Sequence, residues 1–238
     1  MIDVWPKSAG WMYLIWDFDG TLGYRDGGWS KACVDVVRNA SVCCDISVED
    51  IRPHLQDGFP WHRPSKPHTD ITTADDWWEE LYPVFRKSFE ANGIETADAV
   101  ALSREVRRTY VECDWNVFDD VDPALSDLSS SGWSHVVLSN HVPELPSIIG
   151  HLELDDHFEE VYTSAAVGYE KPHPAAFELV VSTLEDESTV WMIGDSYRAD
   201  VKGAATVDIP AILVRNNHPG VEWVCESLAS VGQIVDES

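Results

Sequence analysis

LIWDFDGTLG, residues 14–23, is the stretch on which the reading of this chain turns. It opens on apolar residues suited to a buried strand, and its Asp19-Gly20 pair is the strongest short-range signal for a β-hairpin turn. The same residues set two carboxylates, Asp17 and Asp19, on alternate positions just past the strand, where a metal ion and a phosphate could meet. Taken alone the stretch admits both readings. Its partners elsewhere in the chain decide between them.

Other short apolar runs resemble the one that leads into Asp17. WMYLIW at 11–16, HVVLSN at 135–140, EVYT at 160–163, VWMIGD at 190–195 and PAILV at 210–214 all read as buried strands. Helical patterns lie between the later ones: PAAFELVVSTL at 174–184, with a proline suited to a first turn, and the shorter DVKGAATV at 200–207. Alternation of strand and helix predicts an α/β fold, a Rossmann-like, doubly wound parallel sheet covered on both faces.

The stretch between the first strand and residue 116 behaves differently. KACVDVVRNA, SVEDIRPHL, DDWWEELYPVFRKSFEANG and DAVALSREVRRTYVE are helical in spacing, with no clear strand between them. Ser47 followed by Asp50 resembles a helix N-cap with an acidic third position, and Gly93 stands where a helix would end. The expected organisation is a core domain of residues 1–23 and 116–238, with residues 24–115 inserted as an α-helical cap domain.

Composition narrows the partners. Of 238 residues, 42 are acidic and 16 basic, a formal charge of -26 that repels nucleic acid and anionic membranes. Lys7, Lys31, Lys66, Lys87, Lys171 and Lys202 are all the lysines. Such a surface suits a salt-rich cytoplasm, where screening removes the self-repulsion, and that reading is preferred to an ordinary acidic protein. No apolar run approaches the roughly 20 residues of a membrane helix, and MIDVWPKSAG lacks the basic and apolar regions of a signal peptide, so a soluble cytoplasmic protein is expected. Cys33, Cys43, Cys44, Cys113 and Cys225 show no metal-binding spacing and an odd count, and are read mostly as small buried residues.

In a doubly wound sheet, ligands gather at the carboxyl ends of the strands, and here polar residues follow the strand-like runs. Asp17 and Asp19 follow the first, Ser139 and Asn140 close HVVLSN, and Asp195 closes VWMIGD with Asp200 shortly after. Lys171 lies in GYEKPHP, between a strand and a helix. Asp17, Asp19 and Asp195 offer hard oxygen ligands that suit Mg²⁺. Ser139 offers a hydroxyl with backbone amides beside it, and Lys171 a point positive charge. These are the groups phosphoryl transfer needs, because that chemistry is mostly positioning and charge neutralisation.

DFDGT at 17–21, SN at 139–140, KP at 171–172 and GDSYRAD at 194–200 resemble, in order, the motifs of the haloacid dehalogenase (HAD) superfamily. VGYEKPHPAAF and MIGDSYRADVKGA extend the likeness, and the helical insert resembles the cap of its subfamily I. The resemblance implies a covalent mechanism in which Asp17 attacks phosphorus and Asp19 acts as general acid and then base. It implies Mg²⁺ held by the Asp17 carboxylate, the Asp19 carbonyl and Asp195, with Asp200 supporting that site from behind. Ser139, Asn140 and Lys171 would bind the phosphoryl group. Members of the family that displace halide carry a tyrosine in place of Asp19, so a Mg²⁺-dependent phosphatase of a small phosphorylated metabolite is expected. A phosphomutase, a phosphonate hydrolase that uses a cap lysine, a 2-haloacid dehalogenase and a catalytically silent phosphate-ligand-binding protein are the rival readings.

Other residues invite a role. The loop WHRPSKPH, Trp61 to His68, carries Arg63, Lys66 and two histidines that could grip an anionic substrate, or simply be solvated. Trp77 and Trp78 read as packing within the insert. Tyr24 and Arg25 follow the first motif and could touch substrate. His141 follows the Ser-Asn pair and reads equally as a loop-structuring residue or a catalytic one. Oligomeric state and substrate identity are open at this level.

Overall fold

The computed structural model describes residues 10–40, 45–112 and 115–237. The chain enters through β1 (Met12–Trp16), turns through a short β2 (Gly23–Tyr24), and passes into α1 (Gly28–Asn39), α2 (Val48–Ile51), α3 (Ala74–Ala91) and α4 (Thr96–Val111). It returns through β3 (Asn116–Val117), α5 (Val121–Ser130), β4 (Ser134–Ser139), α6 (Leu145–His151), β5 (Glu160–Thr163), α7 (Ser164–Val167) and α8 (Pro174–Val181). It closes through β6 (Thr189–Gly194), α9 (Lys202–Ala205), β7 (Ala211–Val214), β8 (Trp223–Cys225) and α10 (Val231–Glu237).

Six strands form one sheet in the order β5-β4-β1-β6-β7-β8, and every pairing in it is parallel. The central parts of β1, β4, β6 and β7 are apolar because both faces are covered. Alternation along β1 shows it: Leu14 and Trp16 join one buried cluster, while Ile15 joins a second with Val136, Leu138, Phe177, Val180 and Met192. β1 is central, and its neighbours β4 and β6 carry the chain outward in opposite directions. The carboxyl ends of β1, β4 and β6 therefore lie side by side at a topological switch point, where such sheets bind ligands.

The Asp-Gly turn joins no simple hairpin. β1 pairs only with β4 and β6, and the chain after it curls tightly, with the N–H groups of Thr21, Leu22 and Gly23 all donating to the Phe18 carbonyl. Gly20 takes φ 85, a left-handed conformation that favours glycine. Among the described residues no strand lies between the helices of the insert, but two short strands flank them. β2 and β3 form a two-residue antiparallel ribbon, too short to show as a sequence pattern. β8, of three residues, is also too short to show as a sequence pattern.

The helices of the insert follow their apolar spacing. α3 buries Trp77, Trp78, Leu81, Phe85 and Phe89, one stripe at helical period, and the packing of that stripe carries the helix through Pro83. Ser47 and Asp50 form the expected capping box on α2, and Gly93 follows α3 with φ 85. One expected boundary moves. The segment read as a helix from 200 begins earlier, with a wide π-type turn over Tyr197–Val201 that runs into α9, so Asp200 sits inside the turn.

No helix among the described residues is long and apolar enough to cross a membrane. Cys33 and Cys225 are buried and free, and Cys43, Cys44 and Cys113 lie outside the described residues, as does most of the N-terminal stretch read for a signal.

Candidate active site

β1 ends at Trp16, so Asp17 leaves the sheet as the first residue beyond it, its N–H still donating to the Ile193 carbonyl of β6 at 2.9 Å. From β4, Ser139 donates its hydroxyl to Asp17 Oδ1 at 2.7 Å. Lys171 Nζ lies 3.0 Å from the same oxygen and 2.6 Å from Asp200 Oδ1. Asp17 Oδ1 is thus held from two sides, whereas Oδ2 has no hydrogen-bond partner among the described residues. The arrangement orients one carboxylate oxygen and leaves the other available.

Lys171 is fully buried between these acids. Burial alone would lower its proton affinity, but Asp17 and Asp200 outweigh that and hold it above the usual lysine range, so it stays charged. Asp200, with no exposure, spends both oxygens on the fold: Oδ1 on Lys171 and Oδ2 on the Ser196 N–H at 2.9 Å. Asp200 crosses so close over Gly194 that a side chain there would collide with its carboxylate.

Asn140 places Lys171 in another way. Its side-chain N–H₂ donates to the Lys171 carbonyl at 2.8 Å, and its Oδ1 accepts the Lys171 N–H at 2.7 Å. The side chain read as a phosphate ligand is therefore committed at both ends, because the loop carrying Lys171 needs its backbone groups paired.

Asp17, Asp19, Ser139, Asn140, Lys171 and Asp195 all line one pocket of about 380 Å³. The turn at Gly20 brings Asp19 back to it, and approaches Asp195 so closely that a Cβ on Gly20 would lie 2.6 Å from Asp195 Oδ2. Asp19 lines the pocket and its side chain is exposed there. Partial desolvation by the surrounding protein, with the Asp17 charge adding to it, pushes Asp19 up to about 7. Burial, then Asp17, pushes Asp195 up to about 7 as well, against the opposing pull of Lys171.

Three carboxylates facing one lysine are the donor set of a hard divalent cation. Single oxygens of Asp17, Asp195 and Asp200 lie within 4.8 Å of one another. Since Asp200 is occupied by Lys171 and Ser196, the groups that fit Mg²⁺ are Asp17 and Asp195 with a nearby carbonyl.

These raised affinities carry a sign. A carboxyl that is harder to ionise folded than unfolded costs stability as pH rises from the unfolded value, near 3.8, to the folded one, near 7. In chelator, the melting temperature is expected to fall between about pH 4 and pH 7 and to level off above that, and Asp195→Asn should flatten that slope. Equal slopes in the two proteins, followed by thermal denaturation, would show that Asp195 is not strained by its neighbours.

The remaining candidates divide. Arg63 pairs with Asp57 at 3.1 Å, and neither it nor Lys66 lines the pocket; Trp61 and Pro64 of the same loop do. His68 turns inward instead, with Nε2 3.1 Å from buried Glu170 Oε1. Trp78 packs as expected and also donates its indole N–H to Glu144 at 3.1 Å, tying α3 to the loop before α6. Tyr24 stacks near Phe118, and Arg25 donates to the Gly28 carbonyl; neither lines the pocket. His141 does line it, buried, and burial holds its imidazole down at about 4 against the opposing pull of the Val142 backbone and Asp17.

Sequence reasoning missed Arg215. Its Nε donates to the Thr21 carbonyl at 2.9 Å and its fork grips Asp120, anchoring the turn that carries Asp19. Burial alone would raise Asp120, but Arg215, the Ser227 hydroxyl and the Leu228 N–H pull it down to about 2. Arg215 follows a strand end, as the other site residues do, and that position was the available signal.

A parallel sheet with a metal-fit carboxylate cluster and a buried lysine at its switch point defines the class, and comparison with known proteins specifies it. A model of the haloacid dehalogenase-like hydrolase family matches residues 12–208, and the chain belongs to that family. It is 31% identical over 145 residues to human haloacid dehalogenase-like hydrolase domain-containing protein 3, covering 60% of this chain and 57% of that protein, so it spans little more than half of that relative. It is 26% identical to the ribulose-1,5-bisphosphate 5-phosphatase of Halopiger xanaduensis, covering 84% of this chain and 83% of that one. Its fold is similar to that of the HAD-hydrolase YfnB of Bacillus subtilis, solved bound to magnesium, with a TM-score of 0.73 at 19% identity over 95% of this chain and 99% of that one.

Proposed function

We propose that the protein is a Mg²⁺-dependent phosphatase that hydrolyses a small phosphorylated metabolite through an aspartyl-phosphate on Asp17. The observation that carries this reading is the clamping of Asp17 Oδ1 by Ser139 and Lys171, which leaves Oδ2 to attack phosphorus in line. Asp19, held protonated near neutral pH, gives its proton to the departing alkoxide. As a carboxylate it then takes a proton from the water that cleaves the acyl phosphate. Ser139, Lys171 and the backbone N–H groups beyond β4 hold the transferring oxygens. Mg²⁺ bound by Asp17, Asp195 and the Asp19 carbonyl would offset the negative charge that three carboxylates bring to a phosphate. The relatives named as phosphatases agree with hydrolysis of a small ester.

Residues 24–115 are the cap in this reading, with residues 1–23 and 116–238 as the core. The β2–β3 ribbon supports the boundary, since it pairs the chain where it leaves the core with the chain where it returns. Among the described residues the insert lines the pocket with Trp29, Trp61, Pro64 and Tyr110 and contributes no lysine, so nothing favours the Schiff-base chemistry of a phosphonate hydrolase. The net charge of -26 supports an acidic, salt-adapted cytoplasmic enzyme.

The test is phosphate release from a panel of monoesters at high salt. Turnover with Mg²⁺ that falls by at least ~10²-fold in chelator is the expected result. A panel that yields no phosphate with Mg²⁺ present overturns the reading.

A further inference from the structure

Positive charge is scarce in this chain, and most of it is paired. Seven of the ten arginines hold a carboxylate. Lys171, on the pocket floor, is taken up by Asp17 and Asp200. Arg198 differs. It lines the same pocket, it is exposed, and its guanidinium has no ion pair or hydrogen bond among the described residues. Lys171 and Arg198 are the two cations in that lining.

The backbone that carries Arg198 is held from both sides. Ser196 Oγ accepts the Ala199 N–H at 3.1 Å, and the Asp195 carbonyl accepts the Asn216 side-chain N–H at 3.1 Å. The Tyr197 ring stacks on His218 at 3.5 Å and 12°. Arg198 therefore has a fixed root and a free, planar fork of donors, whose shape matches a carboxylate or a phosphoryl group. Its exposure places it at the rim, whereas Asp17 and Lys171, the groups that meet the reacting phosphate, are 8% and 2% exposed. A pocket of about 380 Å³ has the size of a small-molecule site, with room beyond one phosphoryl group. Trp61 and Pro64, which line it from the insert, carry no charge to answer an anion.

We propose that the substrate carries a second anionic group besides its reacting phosphate, a carboxylate or another phosphoryl group, and that the Arg198 guanidinium receives it at the pocket rim. Arg198 is then a specificity-determining residue: it selects among phosphate esters by what lies at their far end. This assignment rests on the phosphatase reading for the reacting phosphate, but its test needs no turnover.

Binding of non-hydrolysable phosphonates in excess Mg²⁺, followed by calorimetry at one ionic strength, reads it directly. 2-Carboxyethylphosphonate and 3-carboxypropylphosphonate are each compared with the amide of the same shape, and propane-1,3-bisphosphonate with propylphosphonate. At least one of the three acids is expected to bind about fivefold or more tighter than its uncharged counterpart, and which one does so distinguishes a carboxylate from a phosphoryl group. Arg198→Gln should cut that ratio to less than half; should it melt below the wild type, Arg198→Met takes its place. Lys202→Gln removes an equal charge four residues on, outside the pocket lining, and should leave at least half of the ratio. Failure of every acid to reach fivefold, or to bind at all, overturns the proposal. So does a ratio that keeps half or more of its value without Arg198, the result expected if Arg198 held the reacting phosphoryl group instead. A fall below half in Lys202→Gln overturns it too, since the preference would then belong to the general field. Phosphate release from the monoester panel, measured in parallel, judges the phosphatase reading separately.

Discussion

Asp17→Asn is expected to reduce phosphate release by at least ~10⁴-fold while leaving the fold intact. The amide matches the carboxylate in shape, and its oxygen can still accept from Ser139 and Lys171, which hold Asp17 Oδ1 at 2.7 and 3.0 Å. What it cannot supply is the second oxygen as a nucleophile, since the amide nitrogen has no lone pair free to attack phosphorus. Loss of turnover with an unchanged melting curve would separate chemistry from stability. Turnover within tenfold of the wild type would remove Asp17 from the nucleophile's place, and with it the covalent mechanism.

Lys171→Met is expected to cost both stability and activity. The methionine fills similar volume, but it leaves Asp200 buried without exposure and without its cation. Breaking a buried pair from one side typically costs about 3–5 kcal/mol, because the remaining charge has neither water nor partner. Burial already pushes Asp200 above the usual carboxylate range, against the opposing pull of Lys171. Without the lysine its folded value moves further above the unfolded one, so the loss should be small at acid pH and grow as pH rises. Urea denaturation at about pH 6 and pH 8 reads both the size and the sign. The double variant Lys171→Met/Asp200→Asn should recover much of the stability but none of the activity, since the phosphoryl group would still lack its lysine. A destabilisation below about 1 kcal/mol at pH 8 would mean that the pair is better solvated than its burial indicates.

Much of the architecture was legible in the chain because the patterns that encode it are local. Runs such as LIW and VVL are apolar at every position since both faces of β1 and β4 are covered, and the stripe Trp77, Trp78, Leu81, Phe85, Phe89 has the period of one helix face. β2, β3 and β8 escaped notice because two or three residues carry no period. The candidate site was legible by residue type: Asp17, Asp19, Ser139, Lys171 and Asp195 follow strands, and the structure brings them to one pocket. The choice between a gripping and a solvated loop at 61–68 was not legible, because the partner of Arg63, the exposed Asp57, is set by how the loop folds.

The sequence by itself determined the order of strands and helices, the identity of the acids, and the lysine set among them. Each of those depends on a residue's own chemistry or on neighbours a few positions away. Only the tertiary structure decided what each group does with its partners. The Asn140 side chain clamps the Lys171 backbone, Arg215 reaches across 194 positions to hold Thr21, and the rings of Trp61, Trp29 and Tyr110, far apart in sequence, pack together. A side chain's donors and acceptors are visible in its name, but which of them is left over for a substrate depends on contacts made at long range. In LIWDFDGTLG, the Asp-Gly turn and the pair of carboxylates proved to be parts of one arrangement: the turn brings Asp19 back beside Asp17, and β4, β6 and the Lys171 loop supply the rest.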